Sequence, residues 1–209
     1  MKRRSIIYVD GFNFFYGVIK NSPHKWLDIA DCFRRIRQDD DIQRINYFTT
    51  IVDDPDGRAR QQTYLRALNS TPLVSIILGK FKNKEVACRV AACSHPGRRA
   101  FTVPAEKRTD VQIALQMLED AYEDRCSLFV LVSGDSDLVP AVRRVLDKFP
   151  DKRVLVYVPA RDPDRGAATE LRNAATESRT FPLNLLRVSQ FPARVPDGAG
   201  GFVTKPKDW

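Results

Sequence analysis

"LFVLVSGDSDLVPAVRRV", Leu128–Val145, decides the fold. Its first five residues, Leu128–Val132, are all apolar and read as a strand buried on both faces. Ser133, Gly134, Asp135, Ser136 and Asp137 follow, and then Leu138–Phe149 has the apolar spacing of a helix. A buried strand passing through a polar turn into a helix is the repeating step of a parallel α/β sheet. The turn also raises a chemical question. Two carboxylates, Asp135 and Asp137, repel each other where a strand ends, unless a cation lies between them.

The remainder of the chain repeats the same step. Ser5–Val9, Ile42–Thr50, Leu73–Leu78 and Val154–Val158 read as further strands, with a last one at Leu185–Val188. Helices are expected from Phe12–Lys20, Ala30–Arg37, the segment N-capped by Asp54 with Pro55 in its first turn, and Ala167–Ser178. A further helix has Thr109 as its N-cap and Val111, Ala114, Leu115 and Leu118 on one face. Residues 80–108 show no clear period and read as a long excursion. The expected fold class is α/β, a three-layer α/β/α sandwich on a mainly parallel sheet spanning residues 1–188. Residues 189–209, rich in Pro and Gly, read as a tail.

Net charge is +8, which favours a polyanionic partner. No apolar run is long enough to cross a bilayer, and the apolar run after "MKRRS" stops at Asp10, too short for a signal peptide. A cytoplasmic protein with no membrane partner is expected. The four cysteines, Cys32, Cys88, Cys93 and Cys126, do not form a disulfide framework in that setting. Self-association stays open.

In open parallel sheets, ligands sit outside the carboxyl ends of the strands. Asp10 follows the first strand, Asp135 and Asp137 follow the fourth, and Asp110 stands in the first turn of the helix at Thr109. If the first and fourth strands are neighbours, these carboxylates gather at one edge. Oxygen ligands without Cys or His suit a hard cation, Mg²⁺ or Mn²⁺. The plainer role for such an aspartate is a helix N-cap, open to Asp110, Ser136 and Asp137.

Three blocks carry a family resemblance. "YVDGFNFFYG", "EKRTDVQIALQML" and "LVSGDSDLVPAVRRV" resemble, in order and spacing, the signature blocks of the NYN family, a branch of the PIN-like ribonucleases. The resemblance implies a PIN-like sandwich and a metal-dependent endoribonuclease whose hydrolysis leaves a 5′-phosphate and a 3′-hydroxyl. By motif position, Asp10, Asp110, Asp135 and Asp137 would be catalytic and metal-binding, with Asn13, Ser133 and Lys107 in support. One departure lies in "ELRNAATESRTF", where Thr176 stands at a position that relatives often fill with Asp.

Two other readings use the same residues. A haloacid-dehalogenase-type phosphatase needs a second Asp two positions after its nucleophile, and Phe12 stands there. A non-catalytic RNA-binding or regulatory protein could keep the acids as a residual metal site.

The excursion 80–108 carries eight basic side chains against Glu85 and Glu106, giving +6 of the net +8. Lys80, Lys82, Lys84, Arg98, Arg99 and Arg108, with Phe81 and Phe101 among them, offer charges for phosphates and ring faces for bases. RNA is the expected partner. Cys88, Cys93 and His95 could supply three zinc ligands, but the spacing is loose and a fourth is missing, so ordinary thiols remain the simpler reading. With only His24 and His95 in the chain, a His-driven mechanism has little to work with.

Overall fold

The computed structural model describes residues 2–88, 90, 100–161 and 168–209, with backbone alone at 82–83 and 103–106. Strands β1 (Arg3–Asp10), β2 (Asp40–Thr49) and β3 (Val74–Leu78) form one half of a six-stranded sheet. β6 (Leu128–Val132), β7 (Arg153–Val158) and β8 (Glu177–Thr180) form the other. The order is β3-β2-β1-β6-β7-β8, and every pairing is parallel. The order reverses between β1 and β6, so the switch point of the sheet lies between Asp10 and the turn after Val132.

Both faces of the sheet are covered, which explains the buried apolar runs Ile6–Val9 in β1, Leu128–Val132 in β6 and Val154–Val158 in β7. Ile7 and Val9 of β1 pack with the layer of α1 (Gly11–Phe14), α2 (Ile29–Ile36) and α3 (Pro55–Asn69). Ile6 and Tyr8 pack with α4 (Thr109–Tyr122), α5 (Val139–Lys148) and α6 (Thr169–Ala174). The chain is a three-layer α/β/α sandwich of the PIN-like kind. Asp54 caps α3 as expected, its side chain accepting from Gly57 N at 2.6 Å with Pro55 at the first position.

Several expectations need correction. Within the excursion, β4 (Lys80–Ala87) and β5 (Ala100–Lys107) are strands that pair antiparallel, with Lys80 opposite Lys107. This ribbon stands apart from the main sheet, so it lacks the alternation that a half-buried strand shows. Leu185–Val188 is not a strand but part of α7 (Asn184–Val188), and the sixth strand is the polar "ESRT" just before it. That strand lies at the sheet edge with side chains partly exposed, so it needs no apolar run.

On α4 the buried apolar side chains are Ile113, Met117 and Ala121, with Thr109 and Asp120 buried beside them, while Val111 and Leu115 face solvent. Thr109 does not cap that helix. Arg108 occupies the N-cap position in the left-handed region at φ 81, without a side-chain capping bond, and Thr109 is already in the first turn. Nor is 189–209 a loose tail. Strands β9 (Arg194–Pro196) and β10 (Phe202–Thr204) pair, and Val195 and Val203 are buried in the core. Trp209 meets Tyr64 with ring centroids 5.9 Å apart. No helix among the described residues is long and apolar enough to cross a membrane.

Candidate metal centre

Asp10 is the last residue of β1, and its side chain turns the chain into α1. Asp10 Oδ1 accepts from Asn13 N at 3.0 Å. Gly11 makes that abrupt turn possible, because a Cβ there would lie 2.6 Å from Phe48 O on β2. Asp10 is buried, and its other carboxylate oxygen, Oδ2, accepts from Ser133 Oγ at 2.9 Å. Ser133 Oγ in turn accepts from Asp135 N at 3.1 Å, and Gly134 N donates to Asn13 Oδ1 at 2.8 Å. The ends of β1 and β6 are thus tied together by Ser133 and Asn13.

Asp135 caps a short 3₁₀ turn, Ser136–Leu138, by accepting from Asp137 N at 2.9 Å. Capping therefore falls to Asp10 and Asp135 rather than to Asp110, Ser136 or Asp137. Capping occupies one oxygen of Asp135 and is compatible with ion binding through the other, whereas both oxygens of Asp10 already accept hydrogen bonds, from Asn13 N and Ser133 Oγ.

Asp110 reaches the same place from the first turn of α4. Carboxylate oxygens of Asp110, Asp135 and Asp137 all lie within 4.8 Å of one another. Asp10, Asp110 and Asp135 line one cleft of about 370 Å³, together with Asn13, Lys107, Thr109, Phe12 and Tyr16. The Asp110 carboxyl is pushed up to about 6 by burial and by repulsion from Asp10, Asp135 and Asp137, while Lys107 partly offsets this. The donor set is all oxygen, crowded and short of positive charge, which fits a hard divalent ion.

The base of the hairpin delivers Lys107 and Arg108 to this edge. Gly79, at its start, is where a Cβ would collide with Thr50 Oγ1 and Thr109 Oγ1 at 2.6 and 2.7 Å. Lys80, Lys84, Lys107 and Arg108 are exposed. The Phe81 ring packs edge-on against Phe12 at 5.5 Å, and Phe101 is half exposed. Arg98, Arg99, Cys93, His95 and the side chain of Lys82 lie outside the described residues. Cys88 is a free thiol, and Cys126 is buried just before β6, at the opposite edge from the hairpin. Thr176, at the departure from the family pattern, accepts from Val154 N at 3.1 Å. That contact lies at the amino end of β7, away from the acids.

Sequence reasoning missed a second cavity, of about 760 Å³, that shares Phe12 and Tyr16 with the acid cleft. Tyr47, Tyr64, Phe81 and Trp209 also line it. The only signal available was the density of aromatics in "DGFNFFYG"; Trp209 entered only through the fold.

A parallel α/β/α sandwich with acids gathered at its switch point is a PIN-like fold. The NYN domain profile matches residues 4–183, and the chain belongs to the NYN domain family. It is similar to 6-hydroxy-3-succinoylpyridine 3-monooxygenase HspA of Pseudomonas putida, 27% identical across 99% of this chain and 75% of that protein. Among solved structures it resembles VPA0982, a protein of unknown function from Vibrio parahaemolyticus, with a TM-score of 0.52 and 19% identity. That match covers 87% of this chain and 94% of the other, and shows the fold alone.

Proposed function

We propose that the protein is a metal-dependent endoribonuclease that hydrolyses RNA phosphodiester bonds. The observation that carries this reading is the convergence of Asp110, Asp135 and Asp137 within 4.8 Å at the sheet's switch point, in a chain of the NYN family. Asp10, Asp110, Asp135 and Asp137 would hold Mg²⁺ or Mn²⁺. When bound, such an ion lowers the pKa of a coordinated water and offsets charge growing on a phosphoryl oxygen. The chain's own residues do the positioning. Ser133 and Asn13 fix Asp10 and the Gly134–Asp135 turn, so the carboxylates need not reorganise during reaction. Lys107, in the cleft wall, and Arg108, at the hairpin base, bring positive charge for phosphate contacts. Cleavage is expected to leave a 5′-phosphate and a 3′-hydroxyl.

The test is incubation with structured and single-stranded RNAs, with and without Mn²⁺, comparing wild type with Asp10→Asn. Metal-dependent cleavage that is lost in the variant supports the reading. Binding without cleavage by wild type would favour an RNA-binding protein with a residual metal site. The phosphatase reading lacks its second Asp, since Phe12 occupies that position in the cleft wall.

A second reading has its own observation. The aromatic-lined cavity beside the acids could seat a small heteroaromatic ring, and the Pseudomonas putida relative is named for chemistry on a pyridine. Oxygen uptake dependent on a hydroxypyridine and a reductant, with no RNA cleavage, would favour it.

A further inference from the structure

We propose that the cavity lined by Trp209, Tyr64, Tyr47, Phe12, Tyr16 and Phe81 holds one unpaired nucleobase of the RNA, next to the phosphate at the acids. This rests on the RNA reading above and extends it to substrate form.

The first argument is continuity. Phe12 and Tyr16 line both the acid cleft and the cavity, so the two are separated by a single layer of side chains. A strand whose phosphate lies at Asp110 and Asp135 therefore runs next to Phe12 and Tyr16, the residues that the cleft shares with the cavity.

The second argument is the chemistry of the walls. Tyr64 meets Tyr47 at 83° and Trp209 at 61°, and Phe12 meets Phe81 at 82°. Phe12 also stacks on Tyr16, with the ring planes 26° apart and Lys20 Nζ 4.7 Å over the Tyr16 ring, so the cavity is lined by aromatic surface of the kind on which bases stack. At about 760 Å³ the space lies within the range of small-ligand sites and admits a base with its sugar.

The third argument is the polar rim. Lys20, Lys25 and Arg60 line the cavity and form no ion pair among the described residues. The acids there are otherwise engaged: Asp53 pairs with Arg58 at 3.3 Å, and Asp54 caps α3. The rim therefore favours an anion attached to the ring. The Gln61 amide is already bonded, accepting from Val52 N and donating to Thr50 O, both at 2.9 Å. Stacking then dominates over edge recognition, so the cavity reads the presence of a base more than its identity. A base held in a duplex cannot enter, so the substrate is single-stranded at that nucleotide.

The test is a binding titration of a short single-stranded RNA without divalent metal, in which one abasic nucleotide is moved along the strand. One position should lose on the order of tenfold in affinity or more, since a stacked base contributes that much. The loss should disappear in Trp209→Ala, while swapping one base for another at that position should matter little. Equal affinity for every abasic RNA overturns the proposal, and because that change is made in the ligand, no misfolded variant can mimic it. Cleavage of the same RNAs in Mn²⁺ is read separately. Uncut RNA with a position-specific abasic loss keeps the base site and removes the nuclease. Cut RNA without that loss does the reverse. A free pyridine carboxylate that binds through Trp209, with no abasic effect, assigns the cavity to a small ring and overturns the base assignment.

Discussion

Ser133 Oγ donates to Asp10 Oδ2 at 2.9 Å and accepts from Asp135 N at 3.1 Å, so one hydroxyl couples the acids at the ends of β1 and β6. Ser133 is fully buried, and no solvent can replace it. Ser133→Ala leaves a buried carboxylate oxygen and an amide each short of a partner. Stability should fall by about 1–3 kcal/mol, as for other buried groups left unsatisfied. A denaturant titration reads this. Metal affinity should fall as well, because Asp10 loses the bond that orients it. In a double-mutant cycle with Asp10→Asn, the two changes should be non-additive.

Asp110 gives a pH signature to the metal-free protein. Its carboxyl is raised from 3.8 in the unfolded chain to about 6 in the fold, by burial and by the neighbouring acids. The native state therefore binds the proton more readily than the unfolded state. That penalty is full above pH 6, is relieved as pH falls from 6 toward 4, and is absent below the unfolded value. Other carboxylates titrate in the same window, so the comparison is with Asp110→Asn. In EDTA, the variant should exceed wild type in melting temperature at pH 7.5, and the gap should close by pH 4.5. Mn²⁺ should raise wild type at pH 7.5 and the variant much less. A gap that stays constant with pH would mean that the acids do not repel each other.

Arg108 holds a left-handed backbone at φ 81 immediately before α4, a conformation costly for a residue with a side chain. Backbone strain of this kind tends to persist where function requires it. Arg108→Gly should therefore preserve or raise stability, by up to about 1 kcal/mol. RNA binding should weaken and its salt slope flatten by about one charge. Paired melting and filter-binding measurements check both. A variant that loses stability and keeps RNA affinity would contradict the assignment.

How much of this was legible in the sequence depended on where each side chain ended up. The buried strands β1, β6 and β7 could be read because both faces are covered, which forces apolar runs such as Leu128–Val132, while β2 showed only a weak alternation. Asp10, Asp135 and Asp137 could be read because they follow those runs, and Asp110 because it stands in the first turn of α4. The edge strand "ESRT" and the ribbon β4–β5 could not, since neither has a fully buried face to impose a pattern. On α4 the apolar Val111 and Leu115 suggested the wrong face. The buried face instead carries Asp120, fully buried, whose carboxylate accepts from Tyr8 Oη at 2.6 Å and from Arg44 and Arg125 at 2.8 Å. No periodicity argument places a charge in a core. Its partners are tertiary, so only the fold brings them together.

That network gives a prediction about stability. Removing one member of a buried charged cluster leaves the others unpaired. Asp120→Ala should cost about 3–5 kcal/mol and leave Arg44 and Tyr8 without their shared acceptor. Chemical denaturation measures this. A loss below 1 kcal/mol would mean that water reaches the cluster.

The change that separates an enzyme from a binder is Asp135→Asn. Asn keeps the size of the side chain and can still accept from Asp137 N, so the 3₁₀ turn after β6 should hold. One negative charge leaves the group formed with Asp110 and Asp137. If those carboxylates hold the ion that drives cleavage, the rate should fall at least a hundredfold, about 3 kcal/mol of transition-state stabilisation. RNA affinity should hold or rise, because a charge that repels phosphate is gone. Metal-free stability should also hold or rise, since Asp110 loses one of the neighbours that push its carboxyl up. Cleavage, affinity and melting temperature measured on one preparation distinguish the cases. A variant that cuts as fast as wild type in both Mg²⁺ and Mn²⁺ leaves the hydrolytic reading without a mechanism. One that loses cleavage, affinity and stability together has lost its fold, and Asp10→Asn would then have to carry the comparison.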